Sequence, residues 1–321
     1  MNDNILEVRN LKTNFYTKAG VAPAINDISF NIEKGKTLGV VGESGCGKSM
    51  TALSVMKLIP SPPGKIVGGE ILFEGRDLLK LPEKDMRSIR GKDISMIFQE
   101  PMTSLNPVLT VGSQITEALE MHGRISKKEA RGIALNMLEL VKIPDPGKRI
   151  DEYPHQMSGG MRQRVMIAMA LCCNPKLLIA DEATTALDVT IQAQILHLIR
   201  DLKKRMNTAV MFITHDLGVI SQLADEVMVM YAGNIVEQAS TRDIFRNPLH
   251  PYTRGLISCI PGINTKNKKL QVIKGMVPSL YALPQGCPFC PRCDAAVEEC
   301  KSVKPYLTDR DGHRVSCLLY R

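Results

Sequence analysis

The sharpest chemistry in this chain is carried by Gly42-Glu43-Ser44-Gly45-Cys46-Gly47-Lys48-Ser49, a complete G-x-x-x-x-G-K-S. Glycines at such spacing let the backbone curl around an anion with successive N–H groups turned inward. The run follows a short apolar stretch, Thr37 to Val41, and a helical pattern begins at Lys48. A strand that feeds a helix through a glycine loop sets the positive helix N-terminus against phosphate. Lys48 supplies charge to the β- and γ-phosphates, and the Ser49 hydroxyl is placed for Mg2+. The nucleotide-contacting run therefore extends from Gly42 through Met50. Cys46 reads as a small filler of the loop.

Two further stretches complete a phosphoryl-transfer set. Lys176 to Ala180 is an apolar run that ends in Asp181-Glu182. Open α/β sheets bind ligands at the carboxyl ends of their strands, which is where this pair emerges. Asp181 is expected to hold the metal, directly or through water, and Glu182 to polarise a water for attack on the γ-phosphate. The third stretch is Met157-Ser158-Gly159-Gly160-Met161, ahead of a helical run from Val165 to Leu171. Ser-Gly-Gly is an anion-binding helix start, with Ser158 as cap and phosphate ligand and Gly159 and Gly160 allowing close approach. One nucleotide seldom needs two such helix starts from one chain. The economical reading is that two chains share nucleotides across an interface.

The elements that must position these residues are legible in outline. Residues 5 to 40 alternate apolar and polar positions, which predicts strands of an antiparallel layer. Lys48 to Leu58 predicts a helix, residues 60 to 75 a proline- and glycine-rich loop and hairpin, and Ile94 to Phe98 a buried strand. Residues 110 to 143 carry helical periodicity. Lys176 to Ala180, Val210 to Thr214 and Val227 to Tyr231 predict three more buried strands separated by helices. Alternating strand and helix implies a parallel sheet with helices on its faces. After about residue 240 the texture changes to proline, lysine and cysteine.

Composition removes several classes. With 321 residues, 44% hydrophobic and 23% charged, the chain is ordinary globular material, not a disordered tail or collagen-like repeat. No stretch approaches the ~18 uninterrupted apolar residues of a membrane span, and the N-terminus lacks a signal-peptide layout. The formal net charge is +8, and residues 241 to 321 hold 13 basic against 6 acidic side chains. A basic tail on a near-neutral body points to one local contact rather than to nucleic acid. Five of nine cysteines lie between 287 and 317, at C-x2-C-x2-C-x6-C-x16-C. Such a set suits Zn2+ or an iron–sulfur cluster, and a segment with so little core could draw folding energy from the metal.

Taken in order, these residues resemble the nucleotide-binding subunits of ABC transporters. The resemblance spans about residues 5 to 240 and adds Gln99 after a strand, Ala186-Leu187-Asp188, and His215 ending a strand. It implies an α/β P-loop NTPase of ABC type, with an antiparallel β layer, a helical subdomain over 110–165 and a body over 1–250. It also implies roles. Gln99 would contact Mg2+ and the attacking water, His215 the γ-phosphate, and Asp188 the dimer contact. An aromatic near residue 15 would stack on adenine; counting to the phosphate loop favours Phe15 over Tyr16. Met157 and Met161 stand where leucine and glutamine are commoner, while the serine and glycines are kept.

Within that family the chain resembles the peptide and nickel importer group, nearest to dipeptide/oligopeptide permease ATP-binding subunits. Phe98-Gln99-Glu100-Pro101-Met102-Thr103-Ser104-Leu105-Asn106-Pro107, Asn247-Pro248-Leu249-His250-Pro251-Tyr252-Thr253 and Gly286 to Cys293 carry the likeness, with Glu100 where aspartate is more usual. The likeness implies a small cysteine-rich C-terminal extension over 251–321. It further implies a second ATPase subunit, identical or not, two transmembrane permease subunits, an extracytoplasmic binding protein, and a place on the cytoplasmic face of the membrane. Cys287, Cys293, Cys300 and Cys317 match the cysteine spacing that this group associates with a [4Fe–4S] cluster. Cys290 is then spare; a Cys287/Cys290/Cys293 trio, and zinc, stay open. Nickel or other small solutes are the alternative cargo. A soluble ABC ATPase acting on nucleic acid is the alternative class; it would carry two nucleotide domains or a long coiled-coil insertion.

Overall fold

The computed structural model describes residues 3–99, 104–123, 125–184, 188–260 and 272–321. Glu100 to Thr103 of the glutamine-containing run, and Ala186 and Leu187 ahead of Asp188, lie outside the described residues. The chain divides into two compact units. One comprises Met1–Ile5, Glu33–Lys36 and Lys80–Met211; the other comprises Leu6–Ile32, Thr37–Leu79 and Phe212–Arg321.

The second unit opens with two long strands, β1 (Asn4–Thr17) and β2 (Gly20–Glu33), then β3 (Thr37–Val41), helix α1 (Lys48–Val55), β4 (Gly64–Phe73) and β5 (Arg76–Asp77). β2, β1, β4 and β5 form a four-stranded sheet in that order, and β1 runs antiparallel to β4. Leu6, Val8 and Leu11 of β1 and Ile25, Ile28, Phe30 and Ile32 of β2 are buried, as an apolar face requires. The proline- and glycine-rich stretch 60–75, which reads as loop and hairpin, is a short loop leading into the ten-residue β4, which turns at Glu74-Gly75 and pairs antiparallel with β5. Gly75 (φ +79°) serves that turn, whereas Gly68 and Gly69 lie within the paired strand. The register shifts between Arg9 and Lys12, and Gly69 (φ +96°) crosses there; a Cβ at Gly69 would lie 2.6 Å from the carbonyl oxygens of Arg9 and Asn10. Only glycine fits such a bulge.

The remainder of this unit is α8 (Leu217–Leu223), β9 (Glu226–Tyr231), β10 (Asn234–Ser240), α9 (Thr241–Arg246), α10 (Pro251–Ser258), β11 (Thr308–Arg310) and β12 (His313–Val315). β3 lies parallel to β9, β9 pairs antiparallel with β10, and β10 with β12, so the tail adds its strands to a sheet edge. β3 is buried at every position, which is the sign of a strand covered on both faces. The buried Glu237 of β10 welds the tail on. Its carboxylate accepts from the Leu249 and His250 N–H groups at 2.7 and 2.9 Å and meets His313 Nε2 at 2.7 Å.

The first unit holds α2 (Glu83–Ile89), β6 (Ile94–Ile97), α3 (Val111–His122), α4 (Lys127–Leu140), α5 (Pro146–Arg149), α6 (Gly159–Leu171), β7 (Leu177–Asp181) and α7 (Val189–Met206). β6 and β7 pair in parallel, from Ile94 opposite Leu177 to Ile97 opposite Ala180. β8 (Ala209–Ile213) carries the last residues of this unit and the first returning to the other. The helical periodicity over 110–143 resolves into α3 and α4. Each is capped by a hydroxyl: Thr110 accepts from the Ser113 N–H and Ser126 from the Glu129 N–H, both at 3.3 Å.

Candidate phosphate-binding and carboxylate sites

In the second unit, β3 delivers the chain into the phosphate loop and α1 takes it away. Gly47, at φ +106°, is the N-cap of α1, and a Cβ there would stand 2.7 Å from the Ala24 carbonyl oxygen. The loop is stitched down by the Gly233 N–H, which donates to the Cys46 carbonyl at 2.9 Å, and by Thr51, whose hydroxyl donates to the Gly47 carbonyl at 2.9 Å. Lys48 is buried, and its Nζ donates to the carbonyls of Gly42 (2.7 Å) and Glu43 (3.0 Å). The ammonium is therefore held inside the curl of the loop, where a phosphate would meet it. Ser49 and Met50 form the first turn of α1. Cys46 is fully buried, and burial raises its thiol, consistent with a filler. Ser44 and Gly45 form the outer part of the loop; a side chain at Gly45 (φ +77°) would meet open space. The charge of Glu43 is not left bare: its carboxylate meets Arg292 and its N–H meets Tyr252.

Phe15 and Tyr16, neighbours on β1, point to opposite faces. Phe15 is half-buried opposite Gly64, and Tyr16 is 49% exposed. His215 is exposed just beyond β8, between buried Thr214 and Asp216; the Asp216 carboxylate caps α8 by accepting from the Gly218 N–H at 2.8 Å.

In the first unit, Asp181 ends β7 with 4% exposure, and the chain turns at once. Glu182 takes a left-handed conformation, φ +47°, an uncommon one for a side-chain-bearing residue and frequent where geometry serves a site. Gln99, just past β6, donates from Nε2 to Glu182 Oε2 at 2.8 Å. The parallel β6–β7 pair thus brings glutamine and glutamate together. Ser158 caps α6, its hydroxyl accepting from the Met161 N–H at 3.3 Å, and both Ser158 and Gly159 are exposed. Gly160 packs near Ile191 of α7. Asp188 caps α7, accepting from the Ile191 N–H at 2.9 Å. Sequence reasoning missed Gln163. Buried on α6, it donates to the Ala183 carbonyl at 2.5 Å and so ties the Ser-Gly-Gly helix to the turn that carries Glu182. Flanked by Arg162 and Arg164, it carried no distinguishing signal in the sequence.

The tail cysteines gather around a 3-10 turn, Cys290–Arg292, with the Cys287 N–H donating to the Cys300 carbonyl at 2.8 Å. Burial pushes the Cys287 thiol up to about 11, and the nearby Cys300 and Cys317 add to the rise. Burial raises Cys293 as well, with Cys317 and Cys300 contributing. The four thiols thus share one neighbourhood. Among the described residues, no group of three or more His, Cys, Asp or Glu converges tightly enough to hold a metal ion.

Known proteins share this architecture. The ABC transporter family profile matches residues 25–185, and the profile of the oligopeptide/dipeptide transporter C-terminal region matches residues 236–300. The oligopeptide transport ATP-binding protein AppD of Bacillus subtilis is 55% identical over 317 residues, 98% of this chain and 97% of that protein. The dipeptide transport ATP-binding protein DppD of the same organism is 52% identical, covering 99% and 95%. The oligopeptide transport ATP-binding protein OppD of Escherichia coli is 50% identical, covering 98% and 93%. Among solved structures, a dimeric ATP-binding cassette in a post-hydrolysis state bound to ADP and phosphate superposes with a TM-score of 0.67 at 26% identity, over 74% of this chain and 99% of that one. The phosphate loop, the carboxylate pair and the capped Ser-Gly-Gly helix thus stand on an ABC cassette, and the chain belongs to the ABC transporter family of ATP-binding subunits, with the C-terminal region of its oligopeptide/dipeptide branch.

Proposed function

We propose that this chain is the ATP-hydrolysing, energy-coupling subunit of an importer for di- and oligopeptides. The observation that carries the reading is identity of 50% or more, across nearly the whole chain, to ATP-binding proteins named for oligopeptide transport. A body over 1–250 binds nucleotide, with its helical part over 110–165, and the tail over 251–321 is the branch-specific extension. Phosphoryl transfer needs positioning and charge neutralisation more than covalent help. Backbone N–H groups of the loop from Gly42 to Met50, apart from the Glu43 N–H that Tyr252 accepts, and the Lys48 ammonium receive the phosphates. Ser49, Gln99 and Asp181 would hold Mg2+, which neutralises charge on the transferring group. Glu182, oriented by Gln99, takes the proton of the attacking water as its oxygen bonds to the γ-phosphorus and ADP departs. His215 meets the γ-phosphate, and an aromatic on β1, Phe15 or Tyr16, stacks on adenine. Ser158, Gly159 and Gly160 receive the nucleotide of a second ATPase subunit, and Asp188 lies at that contact.

Two permease subunits and an extracytoplasmic binding protein complete the assembly, with this subunit peripheral on the cytoplasmic face. No helix among the described residues is long and apolar enough to cross a membrane. The test is ATP-driven uptake by the assembled complex in proteoliposomes. Labelled di- to pentapeptides should accumulate; uptake of nickel alone, or stoichiometric nucleic-acid binding without membrane subunits, would replace the reading. For the tail, Cys287, Cys293, Cys300 and Cys317 would hold a [4Fe–4S] cluster of structural role. Anaerobically purified protein should absorb near ~400 nm and yield iron and sulfide; a colourless, zinc-loaded sample would assign zinc instead.

A further inference from the structure

The carboxylate of Glu43 stands inside a loop built to bind a polyanion, and a bare carboxylate there opposes the ligand. Arg292 cancels it. The guanidinium forks onto Glu43, with Nη1 to Oε2 at 2.5 Å and Nη2 to Oε1 at 2.9 Å. The remaining donors are also placed: Nε to the Lys274 carbonyl (2.9 Å), Nη1 to the Tyr231 hydroxyl (3.4 Å) and Nη2 to the Ile273 carbonyl (3.4 Å). The Arg292 side chain is only 4% exposed, against 29% for Glu43. Its carbon lies 5.8 Å from the Tyr231 ring centre and 6.0 Å from that of Phe289. Paired, fully donated and flanked by rings, this cation has one geometry. Tyr252, fully buried, holds the other end of the same residue by accepting the Glu43 N–H at 2.9 Å. Arg292 itself sits in the turn between Cys290 and Cys293, so the cysteine-rich tail supplies the counter-charge.

We infer that Arg292 is a positioning residue for nucleotide binding: acting through Glu43, it removes a negative charge from the phosphate loop and fixes the carbonyls that hold Lys48. The inference rests on the reading of this loop as an MgATP site. It gives the tail a task in the ATPase itself, since an unfolded tail would release Glu43 to repel the triphosphate.

The experiment is titration of the full-length chain with a fluorescent ATP analogue and Mg2+, at low and high salt. Arg292→Ala should weaken binding about tenfold or more, with the deficit shrinking as salt screens the exposed carboxylate. Adding Glu43→Ala to it should restore most of the loss, because the repelling group is gone. Glu43→Gln alone, with the cation uncancelled, should bind at least as tightly as the parent; it tests the idea even where Arg292→Ala folds poorly. Unchanged affinity in Arg292→Ala, further loss in the double variant, or weakening in Glu43→Gln would overturn the inference. Failure of the unmodified chain to bind MgATP would instead overturn the reading beneath it.

Discussion

Two helix starts in this molecule are built from the same parts and finished differently. At the phosphate loop, Lys48 and Cys46 are buried, Gly233 and Ala24 close on the backbone, and Glu43 is clasped from both ends. At the Ser-Gly-Gly start of α6, Ser158 and Gly159 are exposed, and a Cβ added at Gly159 would meet nothing within 4 Å among the described residues. The first is a cradle completed by its own unit. The second is a capped helix end with its donors facing outward, which suits a ligand brought by another chain. On the proposed two-chain reading, the half that would recognise nucleotide alone is preorganised, and the half that would close later is left open.

The largest break in this comparison comes from the carboxylate. Glu182→Gln keeps the hydrogen bond to Gln99 but cannot take a proton. ATP turnover of the assembled complex should fall by about 10³, while MgATP binding stays and the closed dimer accumulates in gel filtration. Turnover near the parent value would remove Glu182 as the base.

Next comes the open helix start. Gly159→Asp places a carboxylate where phosphate should dock, at a position whose Cβ meets nothing within 4 Å among the described residues. Hydrolysis by the complex should drop roughly 100-fold, while nucleotide affinity of the isolated chain and its thermal midpoint hold. A loss of affinity in the isolated chain would mean that Ser158 and its glycines serve their own chain's nucleotide.

The paired alanine substitutions sharpen the contrast in stability. Gly47→Ala forces a Cβ to 2.7 Å from the Ala24 carbonyl at φ +106° and should cost about 2 kcal/mol or more in denaturant unfolding. Gly159→Ala should change stability by less than about 0.5 kcal/mol. Equal costs at the two sites would erase the distinction.

Much of this was legible in the sequence because the chemistry is local. A glycine loop between an apolar strand and a helix fixes its own geometry, and an apolar strand ending in two acids announces its carboxyl end. Buried strands β3 and β7 were readable because four successive apolar or small residues, Leu38 to Val41 and Leu177 to Ala180, leave few alternatives. What was not legible depends on distant pairing. The glycines of β4 look like turn signals until β1 is laid beside them. The Arg292–Glu43 fork joins residues far apart in the chain, and Gln163 looks like any polar residue of a helix. In the sequence His250 stands out only as one residue of Asn247 to Thr253, though in the fold it lies beneath Tyr252 and the phosphate loop.

The smallest predicted effect follows from that histidine. His250 is fully buried; its Nδ1 accepts the Tyr252 N–H at 3.0 Å, and its ring lies 5.7 Å from that of Phe289. Burial, with Arg254 nearby, pushes its pKa down to about 3 from the ordinary 6.5. The folded protein therefore keeps His250 neutral, whereas the unfolded chain protonates it below 6.5. Unfolding takes up a proton in the window between these values, so this contribution to stability is whole above pH 6.5 and is lost as pH falls toward 3. Between pH 7 and pH 5 the loss amounts to about 2 kcal/mol. His250→Asn keeps an acceptor for the Tyr252 N–H but has no proton to gain. Urea unfolding at the two pH values should show a smaller acid penalty in the variant by that amount, and identical penalties would show that His250 is not the acid-sensitive support beneath Tyr252 and the phosphate loop.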